Sequence, residues 1–196
     1  MTLSSVAAII LAAGRGTRMN AKRKNKVTFK VGGAPMVTHT VQHLRAAGVS
    51  QIITVVGYLA QSVREALGDQ VEYAVQAEQL GTGDALKAGL PHLKSHIKTV
   101  LAMYGDDSAF YPPTLFQDMV AKKDQLGCDL LFLTIHKNNP VGLGRIVRNE
   151  AGSIARIVEE KVASESEKKI QEINTGFYCF DKNFLLSHID KVQKNP

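Results

Sequence analysis

The sequence predicts an α/β fold in which a largely parallel sheet is covered by helices on both faces. Three observations carry that expectation. Short apolar runs alternate with stretches whose apolar residues recur at spacings of three and four, the rhythm of strands connected by helices. The first run, Val6-Ala7-Ala8-Ile9-Ile10-Leu11-Ala12, contains no polar residue, as a strand buried on both faces requires. Glycines at 48, 68 and 127 stand where the helical stretches would stop.

Taken in order, strands are expected at 6–12, 51–56, 71–76, 99–104 and 129–135, with helices between them at 35–47, 59–67, 82–93 and 113–126. The pattern changes after Pro140. Residues 145–148 and 153–159 read as two strands joined by a turn at 149–152, a hairpin, and 172–180 as a further strand. The polar stretch 163–169 reads as a loop or short helix, and 185–192 as a final helix. With no internal repeat, low-complexity tract or linker, one domain is expected over 1–196.

Composition narrows the function classes. A chain of 196 residues with 44% hydrophobic and 21% charged residues can bury a sizeable core and has the balance of a globular protein. Its apolar runs are too short to span a bilayer, and a secretory leader is not expected at its start. Cys128 and Cys179 lie in apolar contexts that read as buried strands; no disulfide framework is expected, which suits a reducing cytoplasm. The net charge of +6 comes from Lys and Arg that are spread out, apart from Lys22, Arg23, Lys24 and Lys26. No aromatic-rich face accompanies that cluster, which points to a polyphosphate or a solvated loop rather than nucleic acid. His39 and His43 share a helix face at a spacing of four, but the glutamate and further ligand of a zinc protease helix are absent.

Three segments carry chemistry. The run 6–12 passes into Ala13-Gly14-Arg15-Gly16-Thr17-Arg18, a turn whose glycines let several backbone N–H groups converge on one anion, with Arg15 and Arg18 adding charge. Gln76-Ala77-Glu78-Gln79-Leu80-Gly81-Thr82 follows the third strand and opens a helix. Its amide side chains offer donor and acceptor together, as reading a nucleobase edge requires, and Thr82 is placed to cap the helix. Tyr104-Gly105-Asp106-Asp107 ends the fourth strand, where a carboxylate is well sited for Mg²⁺ beside phosphates. Further on, Gly142-Leu143-Gly144-Arg145, Val158-Glu159-Glu160-Lys161 and Glu172-Ile173-Asn174-Thr175-Gly176 set polar groups and glycines at strand ends, suited to a sugar-like ligand. Each segment alone also has an ordinary account: a strand-to-helix turn with solvated arginines, a capped helix start, an acidic turn, a hairpin.

Together and in this order, these segments resemble the sugar-phosphate nucleotidyltransferases, and among them the uridylyltransferase domain of the bacterial bifunctional enzyme that makes UDP-N-acetylglucosamine. The resemblance covers the whole chain. It implies a Rossmann-like three-layer sandwich of the nucleotide-diphospho-sugar transferase type, with a mostly parallel mixed sheet. It also implies that Leu11, Ala12, Ala13, Gly14, Gly16 and Thr17 wrap the triphosphate, that Gln76, Gln79, Gly81 and Thr82 contact the base, and that Arg18 and Lys26 hold phosphate oxygens. Asp106 is implied as the Mg²⁺ ligand, and Tyr104, Gly144, Glu159 and Asn174 as sugar contacts. The implied reaction is attack of a sugar-1-phosphate oxygen on the α-phosphate of UTP with release of pyrophosphate, the expected sugar substrate being N-acetylglucosamine-1-phosphate.

On this reading the partners are small molecules, a nucleoside triphosphate and a sugar-1-phosphate, with neither nucleic acid nor membrane among them; a homo-oligomer is left open. Two departures from the family pattern bear on the site. The family usually has proline just before the loop lysine, whereas this chain reads Lys24-Asn25-Lys26, which leaves Lys24 as a rival to Lys26. The chain also ends before the strand that would bring the family's second metal ligand, an asparagine, so a C-terminally truncated domain is expected. Two rival readings stay open: CTP or dTTP with another phosphorylated substrate, and a nucleotide-binding module without turnover.

Overall fold

A computed structural model describes residues 3–16 and 21–192. In chain order its elements are β1 (Leu3–Ala12), β2 (Lys30–Val31), β3 (Ala34–Pro35), α1 (Met36–Ala46), β4 (Val49–Val56), α2 (Ala60–Leu67), β5 (Glu72–Val75), α3 (Thr82–Gly89), β6 (Thr99–Tyr104), α4 (Pro113–Leu126), β7 (Leu130–His136), β8 (Arg145–Arg148), β9 (Ile154–Val158), β10 (Glu172–Asp181) and α5 (Lys182–His188). They fall into two units, one made of the chain up to Leu131 and from Tyr178 onward, the other of Phe132–Phe177. The chain enters the second unit along β7 and leaves it along β10.

β1 is the axis of the first unit. β4 and β6 lie parallel on its two edges, with Ile9 opposite Ile53 on one side and Ala102 on the other. β5 adds to β4 in parallel, and residues 178–181 of β10 run antiparallel on β6, so the sheet is mixed but mostly parallel. One face of β1 presents Ala7, Ile9 and Leu11, which join Ile53, Val55, Val100 and Ala102 in a core closed by Ala85 and Leu86 of α3 and Leu185 of α5. On the opposite face α1 packs on β4 and against α2 and α4. Helices on both faces leave β1 no solvent side, which is why Val6 to Ala12 is apolar throughout rather than alternating.

The second unit is built around the β8–β9 hairpin. Arg145 pairs with Val158 and Ile146 with Ile157, and the turn is closed by Gly152 N–H to Asn149 O and Ser153 N–H to the Asn149 side chain. β10 begins antiparallel to β8, Ile173 opposite Arg145, and β7 pairs with β10. Ile146, Val158, Ala163, Ile173 and Phe177 are its buried apolar residues among those described.

Most boundaries lie where the sequence places them, and the differences have local causes. The helix expected at 82–93 is α-helical to Gly89 and then tightens into a 3₁₀ turn at Leu90–His92, because Pro91 has no N–H to continue the ladder. The final helix begins earlier than expected, at Lys182, since Asp181 caps it by accepting from Phe184 N–H at 2.9 Å. The two-residue strands β2 and β3 are too short to carry a period and have no counterpart in the sequence reading. Cys179 is buried on β10, where burial pushes its thiol up to about 12, whereas Cys128 is half-buried in the connection after α4 rather than on a strand. Among the described residues no helix is long and apolar enough to cross a membrane.

Candidate active site

In a parallel sheet, ligands bind beyond the carboxyl ends of the strands. The first unit has a cavity of about 220 Å³ there. Leu11, Ala12, Ala13 and Gly14 line it where β1 ends; Asn25, Lys26 and Val27 form a second wall; Gln76, Gln79, Gly81, Thr82 and Ala85 form a third, with Tyr104 at the end of β6. The structure thus brings together in one unit the expected phosphate turn, base-facing segment and loop lysine. Thr17 and Arg18 lie outside the described residues.

Gly16 stands in the left-handed region at φ +59°, and a Cβ there would come within 3.1 Å of the Cβ atoms of Ala21 and Lys26. Only glycine lets the turn close onto the lysine segment. Gly14 is different: among the described residues no atom beyond its chain neighbours lies within 4 Å of where its Cβ would stand.

Asn25 holds the corner. It is 1% exposed, and its Nδ2 donates to Ala12 O at 2.9 Å, Gly14 O at 3.3 Å and Tyr58 O at 2.8 Å. Its Oδ1 accepts from Val27 N–H at 3.2 Å, and its own N–H donates to Ser62 Oγ at 2.9 Å. One side chain therefore ties the phosphate turn, the start of α2 and the Lys26 segment together. Its backbone, φ −62° and ψ 144°, has dihedrals that proline also adopts, so the corner would admit the proline that the resemblance implies here. The asparagine is visible in the sequence but its role is not, because the partners are main-chain carbonyls, which leave no mark in a sequence.

The structure also separates the two lysines. Lys24 Nζ lies over the Phe29 ring, 5.2 Å from its centroid, while Lys26 lines the cavity and pairs with Asp106 at 2.6 Å. The Asp106 side chain is 14% exposed, and its second oxygen, Oδ1, is buried with no hydrogen-bond partner among the described residues. The turn bearing Asp106 is anchored by Ser108, whose Oγ donates to Tyr104 O and lies 3.0 Å from Thr40 Oγ1 on α1.

An orphaned carboxylate oxygen, on a residue paired with the cavity-lining Lys26, fits a hard divalent cation. Among the described residues no group of three or more His, Cys, Asp or Glu could hold a metal ion. Mg²⁺ needs no such group: it commonly keeps waters and takes one or two carboxylates together with substrate phosphates.

On the third wall Gln76 is 5% exposed and its Nε2 donates to Gly81 O at 3.1 Å and Asp84 Oδ2 at 2.7 Å. Gln79 is exposed and accepts from Arg15 Nε at 3.4 Å. Thr82 is the first residue of α3 rather than its cap, which is Gly81, and its hydroxyl lies 3.3 Å from that of Tyr104.

The remaining expected residues converge within the second unit. Asn174 N–H donates to Gly144 O at 2.9 Å, and Glu159 Oε1 lies 3.2 Å from where a Cβ at Gly144 would stand, so a side chain at 144 would press on that carboxylate. Asn174 Oδ1 accepts from Gly176 N–H at 3.0 Å. Arg145, beside Gly144, turns inward: 1% exposed, it binds Glu160 at 2.9 Å, Lys168 O at 3.3 Å and Leu143 O. That guanidinium, together with Gly142 N–H at 2.5 Å, holds the Glu160 carboxyl below the usual carboxylate range. Arg148 grips Glu172 through both oxygens at 2.8 Å, and this contact, helped by Thr134 Oγ1, lowers the Glu172 carboxyl to about 2.

Residues 8–170 match the MobA-like NTP transferase domain. This chain belongs to that family. It is a nucleotidyltransferase domain, and its curated relatives agree: it is 45% identical over 185 residues to the bifunctional protein GlmU of Limosilactobacillus fermentum and 43% identical over 188 residues to that of Exiguobacterium sibiricum. The matches cover 94% and 96% of this chain but 40% and 41% of those proteins, so it spans about two fifths of their length. The transferase fold recurs in a Bacillus anthracis protein described as a glucose-1-phosphate thymidylyltransferase, with a TM-score of 0.73 at 23% identity over 96% of this chain and 76% of that one. It recurs also in 4-diphosphocytidyl-2C-methyl-D-erythritol synthase of Anaerococcus prevotii, with a TM-score of 0.62 at 16% identity over 95% and 75%.

Proposed function

We propose that this domain transfers a uridylyl group from UTP to a sugar-1-phosphate, with N-acetylglucosamine-1-phosphate as the sugar and Mg²⁺ as the cofactor. The observation that carries this reading is one cavity in which the amide-bearing wall from Gln76 to Thr82 meets Lys26, itself 2.6 Å from Asp106. The resemblance to UDP-N-acetylglucosamine-forming uridylyltransferases and the 41–45% identity to GlmU proteins support the choice of base and sugar.

In the proposed reaction an oxygen of the sugar phosphate forms a bond to the α-phosphorus of UTP. The bond to the β-phosphate oxygen breaks, and its electron pair leaves with pyrophosphate. The nucleophile is already ionised, so no general base is required. The residues from Leu11 to Gly14, with Gly16 and Thr17, would wrap the triphosphate, while Arg18 and Lys26 would hold phosphate oxygens as charge develops. Gln76, Gln79, Gly81 and Thr82 would meet the base; Tyr104, Gly144, Glu159 and Asn174 would meet the sugar. Asp106 would hold Mg²⁺ through Oδ1, and the ion would supply charge neutralisation at the phosphates. Catalysis of this kind is positioning and electrostatics.

The test is pyrophosphate release by the purified protein with Mg²⁺, each of the four ribonucleoside triphosphates and dTTP, and a panel of sugar-1-phosphates. UTP with N-acetylglucosamine-1-phosphate should be the best pair, and Asp106→Ala should lower kcat by about a hundredfold or more. Turnover unaffected by Asp106→Ala would remove the metal assignment, and UTP binding without pyrophosphate release from any pair would leave a nucleotide-binding module.

A further inference from the structure

Gln76 lies just past β5, its N–H held by Val56 O at 2.8 Å and its side chain almost wholly buried. The two partners of its Nε2, Gly81 O and Asp84 Oδ2, are a carbonyl and a carboxylate. Neither can donate. Turning the amide over would set Oε1 against both of them, so the chemistry of the neighbours decides which way it faces. Both Nε2 hydrogens are then engaged, and among the described residues Oε1 accepts no hydrogen bond. What Gln76 offers the cavity is an acceptor alone. Gly81 and Thr82 line the same wall where α3 opens, and the first N–H groups of a helix have no partner inside it.

We propose that Asp84 is a positioning residue for base choice: by fixing the Gln76 amide it makes this wall present an acceptor beside a donor, which selects uracil or thymine over cytosine. The inference rests on the reading that the nucleotide's base occupies this wall. Uracil and thymine carry a ring N–H next to a carbonyl, the complement of that pair. Cytosine carries a bare ring nitrogen next to an amino group, the reverse order, and would set acceptor against acceptor and donor against donor. Gln76 alone could not discriminate, since a free amide turns over to suit either edge. The carboxylate eight residues further on removes that freedom.

Asp84 is half-buried at the first turn of α3, so its replacement should leave the fold standing. The test is calorimetric binding of UTP and CTP to the native protein and to Asp84→Asn, Asp84→Ala and Asp84→Glu, with thermal melting to confirm folding. Asparagine can donate to a reversed Gln76 amide, alanine leaves Gly81 O as its one anchor, and glutamate keeps an acceptor in place. The native protein should favour UTP, and the UTP-to-CTP affinity ratio should fall about tenfold in Asp84→Asn, the weight of one misplaced hydrogen bond. It should fall less in Asp84→Ala and return towards the native ratio in Asp84→Glu. An unchanged ratio in a folded Asp84→Asn or Asp84→Ala protein that still binds UTP would overturn the proposal, as would native protein that binds CTP as tightly as UTP. Native protein that binds neither nucleotide would overturn the reading of the site and this inference with it.

Discussion

From Val6 to Ala12 every residue of β1 is buried, whereas four of the five residues of β9 are exposed. Those two strands stand for two ways of holding a chain in shape. The first unit is kept by apolar contact: Ile9, Ile10, Ile53, Leu101 and Phe116 are sealed from solvent between the sheet and its helices. In the second unit arginine–carboxylate pairs take a much larger share, Arg145 with Glu160, Arg148 with Glu172, Arg156 with Glu167. Apolar burial does not respond to proton concentration and is hardly weakened by simple salt; charge pairs answer to both. Acid and salt should therefore act first on the unit that carries Gly144, Glu159 and Asn174.

The largest effect expected is in the first unit. Ile9→Ala should lower the stability to urea by about 2–5 kcal/mol, the range for deleting a large buried aliphatic side chain, with the same loss at low and high salt. A loss that shrank in salt would break the comparison. Asn25→Ala comes next, at roughly 3 kcal/mol, because the carbonyls of Ala12, Gly14 and Tyr58 lose their shared donor at a buried corner. That loss should not vary between pH 5 and pH 8, since no ionised group is involved, and calorimetry should show weaker nucleotide binding alongside it.

Glu172→Gln tests the second unit. At pH 7 it should cost about 1 kcal/mol, allowing for screening of the partly exposed Arg148. The carboxyl sits at about 2 in the folded chain against an ordinary 4.5, so its contribution is fully present above pH 4.5 and is lost as pH falls through about 2. The urea midpoints of native and variant protein should converge over that window, and a constant gap down to pH 2 would contradict the assignment. The smallest effect belongs to Arg156→Ala: a slight loss at low ionic strength that disappears in about 1 M salt, where exposed pairs are screened.

How far the sequence reaches differs between these regions for physical reasons. β1 is legible because burial on both faces leaves no polar residue, and α4 because Pro113 opens it and Gly127, at φ +59°, closes it. The division at Phe132 is not legible, since the apolar run of β7 passes straight through it; the composition shifts only after Pro140. At the site, the glycine-rich turn and the base-facing segment announce themselves by residue type. Asn25 and Asp84 do not. Asn25 acts on carbonyls up to 33 residues away, and Asp84 acts through the Gln76 side chain, so each has meaning only once the loops are folded.

The corner at Asn25 has a thermal consequence. Proline stiffens a turn by narrowing what the unfolded chain can do, a restraint that persists whether or not the turn is formed. Asparagine in the same dihedrals stiffens it only while its hydrogen bonds are made. The corner should therefore open as a single cooperative step, with the amide hydrogens of Asn25, Val27 and Thr28 exchanging with solvent at one common rate that climbs steeply on warming. A proline corner would stay bent through such openings. This one has to be rebuilt after each.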